Sequence, residues 1–221
     1  SRPSGVNGRC ERQPCVTVLQ MLSISNVDSA DVGERILDAA ASCVRDFGVD
    51  RVTLAEIARR AGVSRPTVYR RWPDTRTILA SLLTDRVLGA WNDAPAAPPV
   101  PGHAREALVR RVVDAVRRVR ADDLILTVLR AAPELAMVYI ADRLGTSQQA
   151  LIDVLAEELR NAQRDKSVRC GDPRRIAAMV LLITQSVVQS GQIVAPILDA
   201  AELDVELSHA LNAYLAGSPN D

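Results

Sequence analysis

The strongest constraint on the fold of this chain lies in residues 53–72, which read TLAEIARRAGVSRPTVYRRW. The pattern predicts two short helices joined by a turn at Gly62, a residue that can take the left-handed conformation ending a helix. Thr53 is placed to cap the first helix, and Glu56 is placed to complete a capping box with it. Apolar residues recur at helical spacing along one face of that helix: Leu54, Ile57, Ala58 and Ala61. Two helices with so short a turn between them indicate a helix-turn-helix motif.

The second helix of the motif has a well-specified start and an outward face rich in DNA-binding residue types. Ser64 is placed to cap it, and Pro66 falls in its first turn, where the missing N–H has no cost. Val68 and Trp72, four residues apart, are expected to face the core. The side chains expected to project elsewhere are Arg65, Thr67, Tyr69, Arg70 and Arg71. Arginine can bind guanine O6 and N7 with two parallel hydrogen bonds, a threonine methyl suits the thymine methyl, and a tyrosine hydroxyl can donate to a phosphate.

Positive charge is concentrated on this motif, although the chain as a whole carries a net charge of zero. Residues 51–76 hold seven arginines and two acidic residues, so the local net charge is +5. A basic patch of this kind attracts the phosphate backbone of DNA. Arg59 and Arg60 are interpreted as surface solubility or general phosphate attraction rather than base readout. The alternative interpretation of Tyr69 is a plain core aromatic.

The motif and its flanks resemble the N-terminal domain of the TetR family of one-component transcriptional regulators. The preceding segment, ERILDAAASCVRDFGVD at 34–50, is an amphipathic helical pattern that places Phe47 on its apolar stripe and closes at Gly48. The following segment, TVYRRWPDTRTIL at 67–79, leads through an aromatic-Pro pair into a fourth helix, as in the family. The resemblance is specific over roughly residues 31–83. Elsewhere only the length and the helical character agree.

The resemblance implies a dimeric repressor that binds a near-palindromic operator in double-stranded DNA and releases it when a small-molecule effector spreads the two heads. Thr53 falls where the family often places a hydroxyl on a phosphate, and Tyr69 matches the family's phosphate-contacting tyrosine. Where the family commonly has a lysine in the first turn of helix four, this chain has Thr75, followed by Arg76. The DNA-binding residues expected on this basis are Thr53, Arg65, Pro66, Thr67, Tyr69, Arg70, Arg71 and Arg76.

The composition predicts an all-α protein, because aromatic residues make up only 3% of the chain and no alternating β-branched run occurs. Four prolines within residues 93–102 interrupt the helical pattern. The expected organisation is a flexible arm at 1–28, a three-helix helix-turn-helix domain at 29–76, a connecting helix at 77–92, a Pro-rich linker at 93–103, and a helical effector-binding and dimerisation domain at 104–221. Helices of the last domain are predicted at about 104–120, 122–131, 134–143, 145–165, 173–194 and 202–216.

Residues 177–198 are apolar on nearly every side, so this segment is expected to be buried on several faces. In a TetR-like body the last two long helices pair with their symmetry mates, which makes about 173–194 and 202–216 the candidate homodimer interface. The first helix of the body is rich in arginine, and a solvated face partnered by acidic residues is the favoured interpretation over a second DNA contact.

The candidate effector contacts are ambiguous at the level of sequence. Gln185, Gln189 and Gln192 form a polar stripe that either lines a ligand pocket or pairs across the dimer seam, and the seam is the favoured interpretation. Met137, Tyr139 and Met179 are further candidates, for which ordinary core packing is the alternative. With so few aromatic residues, a pocket is expected to be mainly aliphatic and to suit a small apolar or amphipathic effector.

Several function classes are disfavoured by the sequence. The four cysteines, Cys10, Cys15, Cys43 and Cys170, lack metal-ligand spacing, and Cys43 is expected to be a small core residue. No catalytic residue, metal site or cofactor is expected, so the chain is predicted not to be an enzyme. No uninterrupted run of about 18 apolar residues occurs, which predicts a cytoplasmic protein without a membrane partner. The alternative function is a helical interaction protein with only weak, non-specific DNA binding.

Overall fold

The computed structural model describes residues 17–96, 102–132 and 146–217, with side chains from residue 31 and, in the last range, from residue 148. These residues form nine α-helices and one short 3-10 helix, Val49–Arg51, and contain no strand, so the all-α prediction is confirmed. The helices are α1 Thr17–Phe47, α2 Leu54–Ala61, α3 Arg65–Arg71, α4 Thr75–Asp93, α5 Ala104–Ala121, α6 Asp123–Ala131, α7 Thr146–Arg164, α8 Pro173–Ser190 and α9 Ala200–Leu215.

Helix α1 begins at Thr17, so residues 17–28 are helical, whereas a flexible arm was expected through residue 28. The physical reason lies in the sequence, which has neither proline nor glycine between Cys15 and Val32 to end a helix. Residues 1–16 of the expected arm lie outside the described residues, as do Met137, Tyr139 and the helix predicted at 134–143.

Helices α1, α2 and α3 pack into one head whose core contains Ile36, Ile57 and Val68, all fully buried. Cys43 is fully buried in this core, as predicted, and burial raises the pKa of its thiol. Phe47 differs from its expected place on the buried stripe, because its ring is 42% exposed and the guanidinium of Arg60 lies 4.6 Å above it.

The body is formed by α5, α7, α8 and α9, which share a second core around Val109, Leu159, Ile176 and Leu211. The predicted pairing of the α5 arginines with acidic residues is present, but the face is not solvated throughout, because the side chains of Arg111 and Arg120 are only 17% and 13% exposed. Within α5, Arg118 pairs with Asp114 at 2.7 Å. Other arginines of α5 reach neighbouring helices, through the pairs Arg111–Glu158, Arg117–Asp204 and Arg120–Asp204. Ion pairs therefore link α5 to α7 and to α9.

Helix α8 ends at Ser190, four residues earlier than predicted, and residues 191–197 form turns. At Gly191 the chain approaches α9 closely, since a β-carbon there would lie 2.9 Å from Leu203 Cδ2. Gln192 consequently lies beyond the helix and does not continue the stripe of Gln185 and Gln189. Among the described residues, no helix is long and apolar enough to cross a bilayer.

Helices α4 and α6 connect the head to the body. The predicted packing of α4 is confirmed, because Ile78, Leu79, Leu82 and Leu83 are all buried. Helix α6 contributes Leu124, Ile125 and Val128 to the same hydrophobic cluster that contains the core of the head. Any displacement of α6 therefore changes the packing of the head directly.

Candidate nucleic-acid interface

The local chemistry of residues 53–67 produces the expected helix-turn-helix. Thr53 caps α2, its Oγ1 accepting from the backbone N–H of Glu56 at 3.2 Å. Gly62 ends α2 in the left-handed conformation with φ +65°, and the N–H of Val63 reaches back to the carbonyl of Ala58 at 3.0 Å. Ser64 caps α3 by accepting from the N–H of Thr67 at 3.4 Å. The turn between the helices is thus fixed by residues that are all within a few positions of one another.

The second half of the expected capping box is absent, because the carboxylate of Glu56 is bound by arginine. Arg59 donates to it through Nε at 2.8 Å and Nη2 at 2.7 Å, and Arg60 donates through Nε at 3.0 Å. These hydrogen bonds, Arg59 first, lower the pKa of Glu56 to about 2. Glu56 therefore organises two cations on α2 instead of closing the first turn of that helix.

Arg60 joins α2 to α1 rather than facing outward as part of a basic surface. Its Nη1 donates to Asp46 at 2.5 Å and to Ser42 at 2.8 Å, and its side chain is only 19% exposed. The interpretation of Arg60 as a solubility residue is therefore corrected to a structural one. Arg59 remains 71% exposed, although its charge is paired with Glu56.

The outward face of α3 carries the residue types expected to read DNA. Arg65, Pro66, Tyr69, Arg70 and Arg71 are exposed, while the predicted core residues Val68 and Trp72 are buried. Tyr69 is 50% exposed, which rules out the alternative of a core aromatic.

Three more of the expected DNA-binding residues flank this face. Thr67 is half-buried, its hydroxyl 2.7 Å from that of Ser64. Thr53 is exposed at the start of α2, and Arg76 is exposed in the first turn of α4. Asp74 caps that turn by accepting from the N–H and hydroxyl of Thr77, each at 2.7 Å, and these bonds hold its pKa below the ordinary value. The start of α4, and with it Arg76, is thereby fixed relative to α3.

Two residues of α1 belong to this surface, and local sequence spacing did not reveal them. Gly33 lies against the guanidinium of Arg71, since a β-carbon on residue 33 would stand 2.6 Å from Arg71 Nη1. Arg35 donates from Nη2 to the carbonyl of Ala61 at 2.7 Å, at the end of α2. The same guanidinium of Arg71 lies 5.8 Å from the ring of Trp72. Helix α1 thus contacts the carboxyl-terminal ends of both helices of the motif, at Ala61 and Arg71.

A cavity of about 160 Å³ lies where α4, α5, α6, α7 and α8 meet. Gln185 and Gln189 line it, together with Gln148 and Thr184, which the sequence analysis did not single out. Most of the remaining wall is aliphatic, and no ionisable side chain is among its described lining residues. Met179, a candidate ligand contact, does not line this cavity and is 43% exposed on the outer side of α8.

The outer surface of α8, α9 and the turns between them exposes large apolar side chains. Leu182, Ile193, Ile197 and Val205 are 60%, 77%, 81% and 65% exposed. We call these residues, with Met179, the outer apolar surface; Val205 also lines a groove that α9 forms with α5. Single exposed apolar residues are ordinary, but several on two adjacent elements are typical of a protein–protein contact.

Comparison with known proteins gives one family. Residues 36–82 match the family model described as bacterial regulatory proteins, tetR family. HTH-type transcriptional regulators of Mycobacterium bovis and Mycobacterium tuberculosis are 62% identical over 195 residues, which cover 88% of this chain and 100% of each relative. The HTH-type transcriptional regulator AqdR of Rhodococcus erythropolis is 43% identical over 27% of this chain and 30% of its own length.

Solved structures share the fold at low sequence identity. The transcriptional repressor QsdR of R. erythropolis has a TM-score of 0.63 at 16% identity, covering 86% of this chain and 97% of its own. The repressor AlkX of Dietzia sp. has a TM-score of 0.61 at 19% identity, covering 82% and 94%. RolR in complex with resorcinol has a TM-score of 0.59 at 15% identity, covering 88% and 92%.

Proposed function

Because the chain belongs to the tetR family of bacterial regulatory proteins, and is therefore a helix-turn-helix transcriptional regulator and not an enzyme, we propose that it is an effector-released repressor of a near-palindromic operator. DNA binding is supported mainly by the two sides of α3. Arg65, Tyr69 and Arg70 are exposed on one side, whereas Val68 is fully buried on the other. A recognition helix needs this division, since its buried side fixes its orientation and its exposed side reads base edges. Because the partner is chromosomal DNA, we place the protein in the cytoplasm.

Each expected DNA contact receives a role in this proposal. Arg65, Arg70 and Thr67 face base edges, while Pro66 shapes the first turn of α3. Thr53, Tyr69 and Arg76 bind phosphates on either side of the groove, and Arg71 contributes positive charge next to α1. Phosphate contacts position the protein, and base contacts give the sequence preference.

The outer apolar surface supports a homodimer formed through α8 and α9. Exposed Leu182 and Val205 lie on these helices, and Ile193 and Ile197 lie on the turns between them. A second copy related by a two-fold axis would cover the same residues on both subunits. Such a dimer presents two recognition helices to major grooves about 34–36 Å apart, so the operator should be a near-palindrome.

The position of the cavity supports release by a small apolar or amphipathic effector. Leu83 of α4 and Ile125 of α6 line the cavity and also belong to the hydrophobic cluster of the head. A ligand that fills the cavity would therefore move helices on which the orientation of the head depends. The effector must bind the operator-released shape more tightly than the operator-bound shape, since equal affinity shifts nothing. The complex of the structural neighbour RolR with resorcinol supports a small molecule for this chain as well.

The test is fluorescence anisotropy on promoter fragments adjacent to the protein's own gene, with excess random DNA at two salt concentrations. Binding that survives the competitor and maps to a palindrome supports the repressor. Binding that any competitor removes equally, followed by failure to enrich a motif from random DNA, supports instead a helical interaction protein that binds DNA through charge alone.

A further inference from the structure

The cavity between α4 and α8 has two chemically different walls. The side formed by α4, α5 and α6 is purely aliphatic among the described residues and consists of Leu83, Val87, Val119, Ile125 and Leu129. The side formed by α7 and α8 carries all the polar groups next to three aliphatic residues, Leu151, Leu181 and Val188. A ligand that satisfies both walls must itself have an apolar part and a polar part on opposite sides.

The polar groups on the side formed by α7 and α8 are three neutral amides and one hydroxyl. Gln148 is buried and donates from Nε2 to Gln185 Oε1 at 3.0 Å. Gln189 follows one turn after Gln185 and is exposed at the rim. The hydroxyl of Thr184 lies 2.9 Å from the carbonyls of Val180 and Leu181, so it is used within its own helix. A primary amide has both donors and an acceptor, which suits a neutral head group of either hydrogen-bonding sense.

The absence of ionisable side chains from the described lining argues against a charged ligand. A carboxylate or an ammonium group entering this cavity would lose its hydration without gaining a counter-charge, which is costly in an apolar site. Size gives a second limit, because an apolar cavity of roughly 150 Å³ holds one benzene molecule. The cavity here has about 160 Å³. By comparison with the benzene-binding cavity, this cavity accommodates a ligand of about six carbon atoms.

We propose that the effector is an uncharged aliphatic compound of about this size with one hydrogen-bonding head group, a hydroxyl, carbonyl or carboxamide. The head group binds the amides of Gln185 and Gln148, and the hydrocarbon lies against the aliphatic wall of α4, α5 and α6. This inference rests on the proposed function of the cavity as the effector site, and it specifies which chemical class fills it.

The experiment compares four six-carbon probes on the full chain at neutral pH: 1-hexanol, hexanamide, hexanoate and hexylammonium. Binding is measured by calorimetry and by the shift in melting temperature. We expect both neutral probes to bind at least about tenfold more tightly than either charged probe, because only the charged probes lose their hydration without gaining a counter-charge. Charged probes that bind as tightly as the neutral ones, or a protein that binds none of the four, would overturn the inference.

Substitutions of glutamine test which side chains bind the head group of the ligand. Gln185→Leu is expected to weaken hexanamide binding about tenfold. The same variant should leave cyclohexane binding unchanged or tighter. Gln149→Leu is the matched control, since Gln149 is an exposed residue of α7 that does not line the cavity. If Gln185→Leu unfolds the protein, Gln185→Met, which is closer to glutamine in length, provides the same comparison. Hexanamide affinity that the folded Gln185 variant leaves unchanged contradicts the assignment.

Operator binding of the ligand-free protein is measured in parallel by anisotropy. Intact operator binding with no preference for neutral probes overturns this inference alone. Loss of sequence-specific operator binding overturns the proposed function, whatever the probes do.

Discussion

The guanidinium of Arg71 lies against α1 at Gly33, so close that a β-carbon on residue 33 would stand 2.6 Å from Arg71 Nη1. Arg71 is the last residue of α3, and Gly33 lies within α1. A glycine inside a helix is unfavourable by itself, and here it leaves the space that the guanidinium occupies. The pair ties the end of the recognition helix to the first helix of the head.

Gly33→Ala tests whether this tie matters for DNA binding. Only the flexible end of Arg71 must move, so we expect the fold to be retained and helix α1 to gain roughly 0.5–1 kcal/mol from the loss of a helical glycine. Operator affinity is expected to fall about tenfold, because the cation is displaced from its position. The double variant Gly33→Ala/Arg71→Ala should bind no more weakly than Arg71→Ala. If the losses of operator affinity in this double-mutant cycle were additive, the two residues would act independently.

Arg70→Ala and Tyr69→Phe are expected to change DNA binding in different ways. Removal of the tyrosine hydroxyl is expected to weaken binding to all sequences by roughly 1.5–3 kcal/mol, the contribution of one hydrogen bond to a charged phosphate. Removal of the Arg70 guanidinium is expected to cost about 1–3 kcal/mol on the operator and to relax the preference at one base pair. Competition against operators mutated one base pair at a time separates the two effects. Equal sequence preference in both variants would remove Arg70 from base readout.

The stability of the head is expected to depend on pH through the ionisation of Glu56. Its folded pKa of about 2 is below that of an unfolded glutamate, about 4.3. Stability from its bonds to Arg59 and Arg60 is therefore complete above the unfolded value and is lost as the pH falls toward the folded value. Glu56→Gln should lower the urea midpoint at pH 7, and the difference from wild type should shrink between about pH 5 and pH 2. A difference that stays constant over this range contradicts the account.

Filling the cavity by mutation should imitate the effector. Leu129 of α6 lines the cavity and packs against the hydrophobic cluster of the head, so Leu129→Phe adds volume where both meet. We expect operator affinity to fall in the absence of any ligand, because overpacking costs about 1–3 kcal/mol and is relieved by movement of α6. Leu126→Phe on the same helix is the control, since Leu126 does not line the cavity. Equal losses in the two variants would indicate general damage to α6 rather than coupling through the cavity.

The parts of the site that the sequence predicts well are those fixed by neighbouring residues. The cap at Thr53, the left-handed Gly62 and the cap at Ser64 depend on contacts within a few positions, and each is present in the structure. Hydrophobic periodicity likewise assigned Val68 and Trp72 to the core correctly.

The parts that the sequence misses depend on contacts between distant segments. The approach of Gly33 to Arg71 and the pairing of Arg60 with Asp46 require α1 to be packed against the motif first. Met179 was a candidate ligand contact, with core packing as the alternative. A segment that is apolar on nearly every side does not reveal which of its faces is buried. In the structure Ile176, Val180 and Thr184 face the interior, and Met179 lies on the outer side.

We propose that this chain recognises one DNA sequence as a symmetric dimer. Hydroxyl-radical footprinting on the operator selected by anisotropy tests it most directly, with the protein in excess and random DNA present. We expect two protected segments related by a dyad, with centres about 34–36 Å, or one helical turn, apart. A single protected segment, or protection that disappears with random competitor, would contradict it.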